Sequence, residues 1–131
     1  MKCFVDTSAF FALLDADDGN HPIAKTTLVK LLEDDAALIT SNYVLVESFA
    51  LIQRRIGFDA VRAFQTAMVP IVHVEFTTPE FHRLGVSALL SASRRNLSLV
   101  DCVSFEMMRY LGITSAFTFD SHFAEQGFHP V

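Results

Sequence analysis

The chain contains no tryptophan, and thirteen Phe and two Tyr carry its aromatic content. Phe without Trp is the composition of a packed core rather than of a platform for stacked bases. Cysteine is nearly absent. Cys3 falls in the first apolar run and Cys102 in a late helical stretch, with no CxxC spacing and no nearby His pattern. No disulfide framework or thiolate metal site is expected, and a reduced, cytoplasmic protein is. No apolar run approaches the ~18 residues of a membrane span. The apolar head stops at Asp6, so no signal peptide is expected either. Charged residues are only 19% against 51% hydrophobic, which excludes a disordered chain. Bases are scarcer than acids, ten against fifteen, giving a net charge of −5. That sign excludes a protein that coats nucleic acid electrostatically. It leaves room for an enzyme that grips one phosphodiester through metal. Repeats, linkers and low-complexity segments are absent, so residues 1–131 read as one domain.

What is present alternates between strand-like and helix-like patterns. Lys2 to Val5, Ala37 to Thr40, Ile71 to Glu75 and Thr114 to Phe119 read as strands, with Phe128 to Val131 as a last edge strand. Between them, helical periodicity covers Ala9 to Leu14 (capped by Thr7 or Ser8) and a stretch from Pro22 to Asp34. It continues over Tyr43 to Arg55, Phe58 to Met68, Pro79 to about Ser93, and Ser98 to Leu111. A single helical turn capped by Asp120 follows, closed by Gly127. The helix from Tyr43 is apolar nearly all round as far as Ile52, which predicts deep packing. Alternation of this kind implies right-handed crossovers and a parallel sheet. Asp15 to Asn20 carries several acids but fails as a calcium loop. Its glycine is one place early and no Glu stands twelfth, so a solvated loop is expected.

Four acids stand out: Asp6, Glu47, Asp101 and Asp120. Asp6 ends the first strand and Asp120 ends the fourth. In a parallel sheet both lie on the carboxyl edge, where ligands bind if those strands are neighbours. Asp101 lies in the first turn of its helix and Glu47 in the second turn of another, so both can reach that edge. Hard divalent cations prefer oxygen ligands, and phosphodiester hydrolysis needs an activated water and a stabilised leaving oxygen. Setting the four aside leaves eleven acids against ten bases, so much of the net charge is assigned to one pocket. Simpler readings compete. Ser98-x-x-Asp101 is also a capping box, and Asp6 and Asp120 are also plausible N-caps. Glu47, among Val44, Leu45, Val46, Phe49 and Ala50, is hardest to explain as idle. Arg54 and Arg55 lie about two turns away. The five histidines show no paired spacing, and only His122, beside Asp120, merits attention. Arg94 and Arg95 read as a solvated loop, with contact to a phosphate as the alternative.

Phe4-Val5-Asp6-Thr7-Ser8-Ala9, Thr40-Ser41-x-x-Val44-x-x-Glu47, Leu97-Ser98-Leu99-Val100-Asp101-Cys102 and Phe117-Thr118-Phe119-Asp120-Ser121-His122-Phe123 occur in this order. Together they resemble the PIN-domain family, most closely the VapC-type toxins of toxin–antitoxin systems. The resemblance implies a three-layer α/β/α fold around a parallel sheet in the order 3-2-1-4-5. It implies a Mg²⁺- or Mn²⁺-dependent endoribonuclease in which Asp6, Glu47, Asp101 and Asp120 form the catalytic, metal-holding quartet. Asp6 and Asp101 would be the principal ligands, with Thr7, Ser8 and Thr118 as supporting hydroxyls. A homodimer and a small cognate antitoxin are implied as partners. Two alternatives are a PIN nuclease of RNA maturation or decay, and a catalytically idle interaction module. Haloacid-dehalogenase-like phosphatases are set aside because Ser8 stands where their second Asp is needed. Response-regulator receivers are set aside for want of a late Lys.

Overall fold

A computed structural model describes all residues from Met1 to Val131. Five parallel strands form one sheet in the order β3-β2-β1-β4-β5. They are β1 (Lys2–Val5), β2 (Ala37–Ser41), β3 (His73–Glu75), β4 (Ser115–Phe117) and β5 (His129–Pro130). The central strand is set by its residues: Cys3, Phe4 and Val5 are apolar without interruption and all are buried, as a strand covered on both faces requires. Phe4 stands in register with Ile39 on one side and Ala116 on the other. The chain winds outward from β1 to β3, then returns to β4 on the opposite side of β1. Right-handed crossovers therefore send the helices before β3 to one face of the sheet and those after it to the other. The gap between β1 and β4 is the point of reversal. No helix is long and apolar enough to cross a membrane.

The helices are α1 (Thr7–Leu14), α2 (His21–Glu33), α3 (Asn42–Arg55), α4 (Phe58–Ala63), α5 (Pro79–Ala92), α6 (Leu99–Leu111) and α7 (His122–Glu125). Most ends match their chemistry. Ser41 caps α3, Thr78 caps α5 ahead of Pro79, and Gly112 closes α6 in the left-handed conformation. Three expectations are corrected. The helix expected over Phe58 to Met68 widens after Ala63 into a π-helical turn over Phe64–Met68, then tightens into a 3-10 turn over Val69–Ile71. The physical reason is Phe64 at the start of the π-helical turn, which is fully buried, edge-on to Phe10 at 5.1 Å and to Phe49 at 4.9 Å. Ile71 consequently falls outside β3. The first helix begins at Thr7, and its N-cap is Asp6 rather than Thr7 or Ser8. The third correction concerns α3, which is not deeply packed all round. Val44, Ser48 and Ile52 face the core, while Val46 is 68% exposed.

Both cysteines are free and buried. Burial pushes the Cys3 thiol up to about 12 and raises that of Cys102 as well. Helices α5 and α6 share the most extensive helix–helix contact in the fold. Gly85 is what permits the approach. A methyl group there would stand 2.4 Å from Cγ2 of Val103 and 3.2 Å from its amide nitrogen. Val103 is β-branched and cannot swing aside. Gly85→Ala is therefore expected to destabilise the protein by about 1–3 kcal/mol, despite the better helix propensity of Ala. Thermal unfolding checks this, and Val103→Ala in the same chain is expected to recover part of the loss.

Candidate active site

Asp6, Glu47, Asp101 and Asp120 line one cavity of about 410 Å³ at the carboxyl edge of the sheet. The three aspartates are held there by hydrogen bonds with nearby amides and hydroxyls. The β1 ladder continues into Asp6, whose amide donates to the Phe117 carbonyl at 3.1 Å. Its side-chain Oδ2 accepts from the Ser8 amide at 3.5 Å, the Ser8 hydroxyl at 2.9 Å and the Thr118 hydroxyl at 3.1 Å. The same hydroxyls tie down the loop after β4, because the Phe119 amide donates to Ser8 Oγ and the Asp120 amide to Thr118 Oγ1, each at 2.9 Å. Asp101 is the third helical residue of α6. Its Oδ2 accepts from the Ser98 amide at 3.0 Å, and its own amide donates to Ser98 Oγ at 3.0 Å. Asp120 Oδ1 accepts from the His122 amide at 2.9 Å. Asp6, Asp101 and Asp120 thus each commit one oxygen to the fold and leave the other outside these bonds. Asp6 and Asp101 act as capping groups as expected and still keep an oxygen outside those bonds, whereas the expectation that Asp120 caps the last helix is corrected, because Ser121 stands at the N-cap of α7.

The electrostatics show how closely the four converge. Asp6 is only 4% exposed, and no Lys or Arg pairs with it. Burial pushes its carboxyl up to about 6; the Ser8 hydroxyl opposes this, the charge of Asp101 adds to it, and Thr118 and the Thr7 amide oppose it. Burial also raises Glu47, against the pull of the Thr7 hydroxyl and with the push of Asp101 and Asp120. Asp101 is raised by burial and by Asp120, opposed by Ser98 and by His122. The site thus centres on a buried carboxylate that no basic side chain pairs with, beside three more acids. Its donors are hard oxygens, so the residues fit a divalent cation such as Mg²⁺ or Mn²⁺.

The tightest group of potential ligands is not the four acids. It is Asp101, Asp120 and His122, whose ligand atoms lie within 4.8 Å of one another. His122 is buried, with Nδ1 2.8 Å from Asp120 Oδ1 but off the angle of a hydrogen bond. The Asp-x-His spacing was visible in sequence, but a spacing of two on a one-turn helix is too common to single it out. Asp18 and Asn20 also reach the cavity wall, so the loop expected to be merely solvated borders the site. Phe11, Leu51, Arg55 and Phe119 complete it. Arg94 is engaged elsewhere, pairing with Glu125 at 2.9 Å.

A PIN-domain family model matches residues 3–128, and the chain belongs to that family. Its curated relatives include the 23S rRNA-specific endonuclease VapC20 of Mycobacterium tuberculosis, in strains CDC 1551/Oshkosh and H37Rv. Each is 36% identical to it over 126 residues, spanning 95% of this chain and 94% of the relative. Among solved structures, the crystal structure of Mycobacterium tuberculosis VapC20, described as a Sarcin-Ricin loop cleaving toxin, superposes with a TM-score of 0.86. It is 35% identical, and the match covers 98% of both chains.

The raised Asp6 has a consequence for stability. Between its ordinary 3.8 and about 6, the folded chain holds a proton that the unfolded chain has released. Metal-free stability therefore falls as pH rises through that window, by on the order of 3 kcal/mol from this group. Asp6→Asn removes the buried charge. In EDTA at pH 7 the variant is expected to melt higher than the wild type by roughly 5 °C or more. The gap is expected to close towards pH 4, and thermal melts across pH check both points.

Proposed function

We propose that this chain is a metal-dependent endoribonuclease and the toxin of a toxin–antitoxin pair, acting on ribosomal RNA. The observation that carries the reading is Asp6, a carboxylate buried without a cation at the point where the sheet reverses, with Glu47, Asp101 and Asp120 around it. Relatives that cleave 23S rRNA support the substrate class. We read residues 1–131 as a single PIN domain working in the cytoplasm.

Asp6, Asp101 and Asp120 are the residues we assign to hold Mg²⁺ or Mn²⁺, with Glu47 holding it directly or through water. When bound, the metal supplies an activated water and a stabilised leaving oxygen. The remaining chemistry belongs to the chain. Ser8 and Thr118 fix the rotamer of Asp6, and Ser98 fixes Asp101. The His122 amide fixes Asp120, so three carboxylates are positioned before substrate arrives. Glu47 makes the fewest fixed contacts, and its raised proton affinity suits it to take the proton of the attacking water. That water's oxygen bonds to phosphorus as the bond to the leaving ribose oxygen breaks, and the leaving oxygen takes up a proton from solvent water to become a hydroxyl. Phe11, Leu51 and Phe119 give the strand an apolar wall.

We extend the reading to two partners, a small antitoxin protein and a second copy of the chain. Leu90 on α5 and Tyr110 on α6, 71% and 79% exposed, and Phe58 on α4 are apolar surfaces available for them.

Purified protein, free of copurifying antitoxin, should cut a labelled total-RNA pool at discrete sites with Mg²⁺ or Mn²⁺ and not in EDTA. Asp6→Asn and Asp101→Asn are each expected to lower the rate by at least ~100-fold, the upper end of what loss of even an outer partner costs a metal site. A folded protein that binds Mn²⁺ and cuts no RNA would instead mark an interaction module. Discrete cuts in RNAs other than rRNA would support the nuclease and replace its substrate.

A further inference from the structure

The cavity has one basic residue in its wall, Arg55, against five carboxylates that include Asp18. Arg55 is the last residue of α3. Glu47, Leu51 and Arg55 recur every fourth residue, so a single stripe of the helix lines the cavity from its acidic floor outward. At 1.5 Å per residue, Arg55 starts about 12 Å along the axis from Glu47. It is exposed, and it forms no ion pair, hydrogen bond or aromatic contact. Arg62, Arg83, Arg94 and Arg109 all pair with carboxylates. Arg54, Arg55 and Arg95 do not, and of these three only Arg55 stands in the wall of the acidic cavity. Its position at a helix C-terminus is favourable by itself, but Arg54 supplies the same charge there and stays out of the cavity.

A cation left unpaired among carboxylates is free for an anion that arrives from outside. The floor repels phosphate unless metal is bound, and the chain as a whole is acidic. We propose that Arg55 forms a backbone-binding subsite, gripping an RNA phosphate away from the bond being cut and leaving the acidic floor for the scissile phosphate. The subsite rests on the nuclease reading above. The planar guanidinium suits a phosphate, which it can bind through two parallel bonds. The nucleotide between the two phosphates meets the apolar wall of Phe11, Leu51 and Phe119. Arg55 is a positioning residue, since it touches the strand and not the reacting atoms.

Two readouts separate this subsite from the reading beneath it. The first is cleavage of one RNA that the wild type cuts, with Arg55→Ala, Arg55→Lys and Arg54→Ala. Arg55→Ala is expected to raise KM roughly tenfold while kcat falls much less, Arg55→Lys to recover part of the loss, and Arg54→Ala to match the wild type. The second is fluorescence anisotropy of the same RNA with Asp6→Asn protein, with and without Arg55→Ala, over a salt series. One lost phosphate contact should make the log–log salt slope shallower by about 0.7–0.9. A merely structural role would not move that slope. An unchanged slope and KM, or a loss confined to kcat, overturns the subsite. If no RNA is cut but the slope still falls with Arg55→Ala, the nuclease reading fails and takes the subsite with it, and Arg55 is left as a phosphate contact of an RNA-binding protein. If no RNA binds at all, both fall.

Discussion

A single buried carboxylate sets the terms for this fold. Asp6 ends the central strand at the point where the sheet reverses direction, and charge there is costly with so little solvent. The chain meets that cost with three donors on one oxygen, from the Ser8 amide and the Ser8 and Thr118 hydroxyls. Those hydroxyls then accept amides from the loop after β4. The two loops that frame the cavity are therefore joined through Asp6, and the site's shape depends on keeping this acid. Substituting it touches both strand ends at once.

The acids around Asp6 follow the same logic. Asp101 is at once the reciprocal partner of Ser98 and a wall of the cavity, and Asp120 holds the first amide of α7 while facing Asp101. A helix start leaves amides without partners, and a carboxylate there is stabilised by them. Placing acids at helix starts lets the fold offset part of the repulsion that four clustered charges create. Glu47 is the exception, on the second turn of α3, and it is correspondingly the less constrained group.

Much of this was readable from residues alone. An apolar run cut off by Asp6 had to be a buried strand ending in a carboxylate; alternation implied a parallel sheet, and the family resemblance implied its order. The acid at 47 stood out because it interrupts an apolar helix, and those at 101 and 120 because they read as opening helices at the carboxyl edge of the sheet. What escaped was set by distant contacts. Phe64 is drawn into the core by Phe10 and Phe49, which lie on other elements, and the local helical pattern carries no trace of that. Val46 is as apolar as its buried neighbours yet faces outward, because hydrophobicity alone does not say which side of α3 meets the sheet. Asp18 and Arg55 sit in segments with ordinary surface composition. Their place in the cavity wall comes from where α1 and α3 end in space.

The two thiols have a different kind of consequence. Cys3 lies in the innermost strand with its proton held to about pH 12, and Cys102 lies behind the site in α6. Peroxide and alkylating reagents act on thiolates, and the folded chain presents almost none. Oxidative conditions that disable enzymes with exposed, acidic cysteines are expected to spare these two thiols while the chain stays folded. Once it opens, both sulfurs become reactive together, so modified cysteine in a cell extract would be a record of molecules that had unfolded.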